Sequence, residues 1–197
     1  MTGERWNSSL HAFEALLDTI PAHATTGLDV GCGEGETARR LRRRLPKVVG
    51  LDCDASSIEQ ARLHGDDITY VAGDLFSTDL PEEAFDVVSA VGMLHHVDQR
   101  RGLDRLSRLV CPGGLLLVVG LTRSRFVADL ARDAVESVIL RRHSIFKGVW
   151  ETPAPKVWPP PMTYSETESV SVEALPGARF RRIPYFRYGL TWWRPGE

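Results

Sequence analysis

Apolar residues in the middle of the chain fall into two alternating patterns. Short, mainly apolar runs stand at 28–30, 48–52, 68–72, 85–91 and 115–121. Between them, residues 36–45, 56–64 and 100–110 read as amphipathic helices, with Leu103, Leu106 and Val110 at three- and four-residue spacing in the last. Pro46 stops the first of these helices and Gly65 closes the second. The runs at 85–91 and 115–121 have the near-continuous apolar character of strands buried on both faces. Strands alternating with helices in this way predict an α/β fold, a largely parallel sheet covered by helices on both sides.

The flanks add further elements. Residues 8–20 predict one helix ahead of the first strand, a candidate lid. After the fifth strand, Val127, Leu130, Ala131, Ala134, Val138 and Ile139 form the stripe of a helix over 124–142. Residues 143–161 change character: they hold Pro153, Pro155, Pro159, Pro160 and Pro161 together with Trp150 and Trp158. That proline density excludes a regular element. A loop this long inside a compact domain marks a functional segment, and 143–162 is read as a substrate loop. Residues 164–175 predict a helix opened by a Ser165-x-x-Glu168 capping box and ended by Pro176-Gly177. Residues 178–185 and 188–193 predict two closing strands joined as an antiparallel hairpin.

Composition narrows the class. A chain of 197 residues suits a single domain. Its 43% hydrophobic and 25% charged residues match an ordinary soluble globular protein. The net charge of -2 provides no general attraction to nucleic acid or anionic lipid. Cys32, Cys53 and Cys111 are odd in number and far apart, which argues against a disulfide framework or a zinc site; no metal is expected. Glu4, Arg5, Glu14 and Asp18 interrupt the first 27 residues, and no run approaches a membrane span. The expectation is a cytoplasmic protein with no stable membrane insertion; its oligomeric state is left open.

The candidate chemistry begins where the first strand meets Asp29-Val30-Gly31-Cys32-Gly33-Glu34-Gly35. Glycines let the backbone turn tightly and let a ligand approach the main chain. The spacing is G-x-G-x-G, not the G-x-G-x-x-G of dinucleotide sites. Asp29 before the turn would repel a diphosphate and attract an ammonium group. Asp52 closes the second strand, where a carboxylate accepts hydrogen bonds from ribose hydroxyls. Asp54 reads as the cap of the following helix. Asp74 after the third strand offers an acceptor for an adenine amino group, and Leu75 a backbone donor and an apolar contact.

These segments resemble the class I S-adenosylmethionine-dependent methyltransferase family. Leu28 to Gly35 is similar to its first motif, and Gly50-Leu51-Asp52-Cys53-Asp54 to its ribose-binding acidic segment. Gly73-Asp74-Leu75 is similar to the adenine-binding segment. Phe85-Asp86-Val87-Val88-Ser89 through Leu94-His95-His96-Val97 resembles the fourth-strand motif, and Leu106 through Pro112-Gly113-Gly114 the helix and turn before strand five. The match spans about residues 26 to 121 in the family's order. The resemblance implies a three-layer Rossmann-like sandwich whose seven-stranded sheet is mostly parallel with an antiparallel last strand. It implies S-adenosyl-L-methionine as cofactor. Asp29, Gly31 and Gly33 would meet its methionine part, Asp52 and the adjoining Cys53 its ribose, and Asp74 and Leu75 its adenine, with Val91 at the end of the fourth strand beside the site. Cys53 stands where the family often has another residue.

In such a transfer the sulfonium already activates the methyl group, so the protein mainly aligns the partners and excludes water. His95 and His96 follow the fourth strand and are the candidate catalytic residues. In extended backbone only one of them faces the cleft, and an imidazole titrating near neutrality suits a general base; local packing is the alternative role. Arg39, Arg40, Arg42, Arg43 and Arg44 crowd one helix, either as a solvated face or as an RNA or acidic-partner patch. Trp150 and Trp158 are candidates for the substrate pocket, whereas Trp192 and Trp193 lie in a closing strand. No Asn/Asp-Pro-Pro-Tyr tetrapeptide follows the fourth strand, where nucleic-acid amino methyltransferases of this fold often carry one. A small-molecule acceptor is therefore expected, without nucleic acid. A protein or RNA methyltransferase and a non-catalytic S-adenosylmethionine-binding partner protein are the alternatives. A nicotinamide-dependent reductase is disfavoured by the glycine spacing.

Overall fold

A computed structural model of the chain describes residues 7–123, 157–183 and 187–196. The helix expected over 124–142 and the loop positions Trp150, Pro153 and Pro155 lie outside the described residues, as does Tyr185.

The elements run α1 (Ser8–Leu17), β1 (Thr26–Val30), α2 (Glu36–Arg42), β2 (Lys47–Asp52), α3 (Ala55–Arg62), β3 (Thr69–Ala72) and β4 (Phe85–Val91). A 3-10 turn (Leu94–His96), α4 (Gln99–Leu109), β5 (Val110–Leu121), α5 (Tyr164–Ala174), β6 (Arg179–Ile183) and β7 (Arg187–Trp193) complete them. The seven strands form one sheet in the order β3-β2-β1-β4-β5-β7-β6. The first five pair in parallel, and β7 runs against both β5 and β6. The expected seven-stranded, mostly parallel sheet with an antiparallel last strand is the architecture found.

Side chains alternate across the central strands and so divide the core into two layers. Along β5, Leu116 and Val118 join α4, β7 and the end of α5 on one face. Leu115, Leu117 and Val119 join α1, α2 and α3 on the other. β4 divides likewise, with Val88 and Ala90 to the first layer and Val87 to the second. A strand covered twice needs apolar residues at every position, which is why 115–121 shows no polar alternation. Helix α1 is part of the second layer: Leu10, Ala12, Phe13, Leu16 and Leu17 are all buried. The helix read as a candidate lid is α1 itself, and its inner face packs against the sheet.

Three local readings change. β5 starts at Val110, five residues before the expected Leu115, because Phe85 pairs with Val110 before the register jumps to Val87 opposite Leu115. The Cys111-Pro112-Gly113-Gly114 segment that reads as a strand breaker is the irregularity in the ladder, with Gly113 at φ 75°. The first helix of the α/β unit ends at Arg42 rather than 45, its last residues tightening into a turn where Arg44 N–H donates to the Leu41 carbonyl at 2.8 Å. The capping box of α5 is Thr163 with Glu166, not Ser165 with Glu168. Thr163 is fixed as the entry residue by an isolated bridge to Arg123, and the Arg123 N–H donates to the Met162 carbonyl at 3.0 Å. The N-cap reading of Asp54 holds: its carboxylate accepts from the N–H groups of Ser56 and Ser57.

Asp86 ties the amino ends of β1 and β4 together. One oxygen of its carboxylate accepts from Thr25 N–H at 2.8 Å and Thr26 N–H at 2.9 Å, and from both threonine hydroxyls at 3.0 and 2.9 Å. Partial burial works against the charge, but these donors outweigh it and hold the carboxyl down at about 2. A carboxyl depressed on folding stabilises the protein above its unfolded value of ~3.9 and stops doing so as pH falls through its folded value. Asp86→Ala is therefore expected to cost about 1–3 kcal/mol at pH 7 in denaturant unfolding. The difference from wild type should vanish as pH falls from 4 towards 2; an equal difference at pH 7 and pH 2 would show that the charge is not what stabilises.

Candidate functional site

The chain leaves β1 towards β2 on one side and reaches β4 on the other, so the loops beyond the carboxyl ends of β1 and β4 diverge. That divergence opens the crevice in which ligands of parallel α/β sheets bind. Gly31, Gly33 and Gly35 follow β1 with φ of 72°, 52° and 85°, conformations that side chains other than glycine's adopt poorly. Gly31 and Cys32 N–H both donate to the Leu51 carbonyl, at 2.8 and 3.1 Å. A Cβ on Gly31 would lie 2.7 Å from the Met93 side chain, whereas one on Gly33 would meet nothing within 4 Å. The turn is packed beneath Gly31 and open at Gly33.

Asp52 clamps this turn from β2. Its Oδ2 accepts from the Gly33 N–H at 2.7 Å and its Oδ1 from the Asp54 N–H at 2.9 Å. A carboxylate oxygen has a second acceptor direction, so both oxygens keep capacity for hydroxyl donors. Cys53 beside it is exposed, and burial first and Asp52 second push its thiol up, away from the reactive thiolate. Asp74 is exposed, and its Oδ1 accepts from the Phe76 and Ser77 N–H groups at 2.9 and 3.2 Å, fixing the turn after β3. The Leu75 side chain is buried in the core, and its carbonyl accepts from Arg105 Nε at 3.3 Å. Val91 is half-buried at the end of β4, and the Gly92 N–H after it donates to the Val119 carbonyl at 2.7 Å.

Asp29 sits differently from the other acids. It pairs in register with Ser89 of β4 and is 1% exposed. Ser89 Oγ donates to its Oδ1 at 2.6 Å, while Oδ2 is buried without a hydrogen-bond partner among the described residues. Burial, with a smaller contribution from Asp52, pushes its carboxyl up to about 7; Ser89 and the Ala38 N–H in the first turn of α2 oppose the shift. Ser89 was legible only as a hydroxyl within the apolar run Val87–Val91.

His95 and His96 do not alternate as extended residues would. They share the 3-10 turn, and their rings stack at 4.1 Å between centroids with a 40° tilt. His95 is half-buried, and its Nδ1 is buried with no partner among the described residues. Burial chiefly, then the neighbouring His96 and Arg187, lower it to about 4. His96 is exposed; burial lowers it and Asp52 acts the other way. An imidazole titrating near neutrality is thus not what His95 provides: it is a neutral hydrogen-bonding ring across the physiological range. Arg187, missed in the sequence, opens β7 opposite Leu121, donates from Nε to Ser9 Oγ at 2.8 Å, and is lowered to about 10 by burial.

The other candidates lie elsewhere. Each arginine of the helical run meets an acid: Arg39 meets Glu36, Arg40 and Arg43 both meet Glu14, Arg42 meets Asp67, and Arg44 meets Asp18. Asp66 lies 3.8 Å from Arg39 as well, so the five arginines stand against five acids, Glu14, Asp18, Glu36, Asp66 and Asp67, and the run is no bare basic patch. Trp192 is buried and donates from Nε1 to the Pro176 carbonyl at 3.1 Å; Trp193 is part exposed. Both pair near Leu115 and Leu116, the end of β5 away from the crevice. Trp158 is largely exposed, five residues before the Thr163 bridge at the crevice end of β5.

The set suits a ligand with a ribose, an adenine and a cationic amino-acid end. The turn is open at Gly33, Asp52 has unused acceptor capacity, and an unpartnered carboxylate oxygen lies beneath. The same acids disfavour a diphosphate. A family model described as "Methyltransferase domain" matches residues 28–118. An uncharacterized methyltransferase of Mycobacterium tuberculosis is 39% identical over 96% of this chain and 98% of its own length. A ubiquinone biosynthesis O-methyltransferase of Rhodopseudomonas palustris is 36% identical over 49% of this chain and 40% of its own. The structure of an S-adenosylmethionine dependent methyltransferase from Mesorhizobium loti matches with a TM-score of 0.62 at 18% identity, over 92% of this chain and 97% of that one.

Proposed function

The chain belongs to the class I S-adenosylmethionine-dependent methyltransferase family, and from that premise we propose that it methylates an oxygen, nitrogen or carbon nucleophile of a small molecule. S-adenosyl-L-methionine, the cofactor, supplies an electrophilic methyl group on its sulfonium. In the proposed arrangement Gly31 and Gly33 carry its methionine part over Asp29. Asp52 accepts from the ribose hydroxyls, with Cys53 alongside. Asp74 and the main chain of Leu75 hold the adenine, and Val91 lies at the side of the cleft.

His95 and His96 face the acceptor side in this reading. His95, neutral and half-buried, accepts a hydrogen bond from the nucleophile's O–H or N–H and aligns its lone pair; the low value of about 4 makes it an orienting group rather than a strong base. His96, more exposed, is the better placed of the two to pass a proton to water. Trp158 contributes from the loop to the acceptor's surroundings. The observation that carries the small-molecule reading is the acid-paired arginine run: among the described residues, the helix beside the cofactor turn presents no unpaired basic stripe to follow a nucleic-acid backbone. The partial likeness to a quinone-pathway O-methyltransferase supports a hydroxyl nucleophile.

The test is formation of S-adenosylhomocysteine with panels of phenols, amines and carbon acids, run beside transfer RNA and protein extracts. Turnover confined to small molecules is the expected outcome. Turnover with RNA or protein alone would replace the acceptor class, and cofactor binding without any turnover would favour a non-catalytic partner. Calorimetry should show S-adenosylhomocysteine binding and no tight NADH binding.

A further inference from the structure

We infer that Asp29 gives up a proton when the cationic end of S-adenosylmethionine settles over the glycine turn, so that cofactor binding is coupled to proton release. The inference rests on the cofactor assignment above and concerns a group to which methyl transfer itself gives no task. In the step the carboxyl O–H bond breaks, the proton leaves to solvent, and the carboxylate charge stays to face the cofactor's ammonium. No other reactant is needed.

The geometry comes first. Asp29 is sealed between β1, β4 and the start of α2. One oxygen has the Ser89 hydroxyl; the other is buried and unpartnered among the described residues. A buried carboxylate with an empty oxygen is costly as an anion. The groups facing it do little to relieve that cost. From the end of β2 comes a second acid, Asp52, clamped to Gly33. From the turn comes the Cys32 thiol, itself pushed up by burial first and then by the two aspartates, and so neutral. From α2 come only the Ala38 N–H and, on the far side of Cys32, Arg39, which is engaged with Glu36 and the Glu34 carbonyl. No cation stands against Asp29 among these described neighbours. The folded protein accordingly holds its carboxyl at about 7. A positive charge laid on the turn above favours the anion and lowers that value.

The sign follows from linkage. Below pH 7 the free protein carries the proton and must lose it to bind, so affinity falls as pH falls; above pH 8 the proton is already gone. Titration calorimetry with S-adenosylhomocysteine, in buffers of different ionisation enthalpy, counts the protons. Close to one proton should be released per ligand near pH 6 and little at pH 8, with binding about tenfold weaker at pH 6 than at pH 8. Asp29→Asn should bind with no proton release and no such pH dependence. Ser89→Ala removes a donor that favours the anion, so its affinity curve should move to higher pH. Infrared difference spectra of the ligand-free enzyme at pH 6 should show a protonated carboxyl that Asp29→Asn removes and ligand discharges. Binding of S-adenosylhomocysteine with the same proton count in wild type and Asp29→Asn would overturn the inference. So would the absence of that carboxyl band. Failure of the ligand to bind wild type at any pH would instead overturn the cofactor assignment.

Discussion

Asp52→Ala is expected to weaken S-adenosylhomocysteine binding by about 1–3 kcal/mol, or roughly five- to 150-fold in Kd. Two losses add. The ribose hydroxyls lose a charged acceptor. The Gly33 N–H, now bonded to Asp52 Oδ2 at 2.7 Å, loses the partner that holds the turn open in its ligand-ready shape. Asp52→Asn separates them, because the amide oxygen can keep the Gly33 bond while the charge disappears. The asparagine variant should therefore bind between wild type and alanine. An alanine variant with unaltered Kd would remove Asp52 from the ribose position. A variant whose melting temperature falls as much as its affinity would show that the clamp, not the ribose contact, dominates.

The second large effect belongs to His95. His95→Ala should lower kcat by about 10²-fold, the order associated with losing alignment of a bound nucleophile. The Kd for S-adenosylhomocysteine should stay close to wild type. Its pH signature distinguishes orientation from strong-base catalysis. Burial, His96 and Arg187 hold the ring near 4, so it is unprotonated from pH 5 upward and contributes no acidic limb between pH 5 and 8. A limb near pH 6.5 in kcat/KM that disappears in His95→Ala would contradict this, as would full turnover in the variant. His96, more exposed, is also lowered by burial, with Asp52 opposing the shift.

The sheet was legible because its central strands are covered twice. Nothing polar interrupts Leu115 to Val119, and the same covering that buries both faces writes the strand into the sequence. Legibility failed where backbone geometry and side-chain type disagree. Pro112-Gly113-Gly114 has breaker chemistry, yet it lies inside β5 because a bulge absorbs it. Ser165 and Glu168 have capping-box spacing, but Thr163 is the residue fixed at the helix entry by the Arg123 bridge. The glycine turn and Asp52 were readable as site elements because their spacing follows from the turn itself. The burial of Asp29 was not: an acid reads as polar until its strand neighbours, Gly50 and Ser89, are known. Likewise two adjacent histidines suggest opposite-facing side chains only if the backbone is extended, and here it coils into a 3-10 turn.

The contact between Arg123 and the Met162–Thr163 pair brings two distant points of the chain to one place at the rim of the sheet. The contact thus holds together the two ends of whatever sequence joins them. Closing a longer tether costs slowly growing entropy, only about 0.6 kcal/mol for each doubling of its length. Stretches of other length and composition can thus be grafted between the same two anchors with little change in the stability of the body. Descendants of one such scaffold could diverge in what they methylate while the strands, the glycine turn and Asp52 stay the same. On the proposed reading of residues 143–162 as a substrate loop, a chimera exchanging 124–161 with the matching stretch of the mycobacterial relative is expected to change acceptor preference and leave cofactor affinity alone.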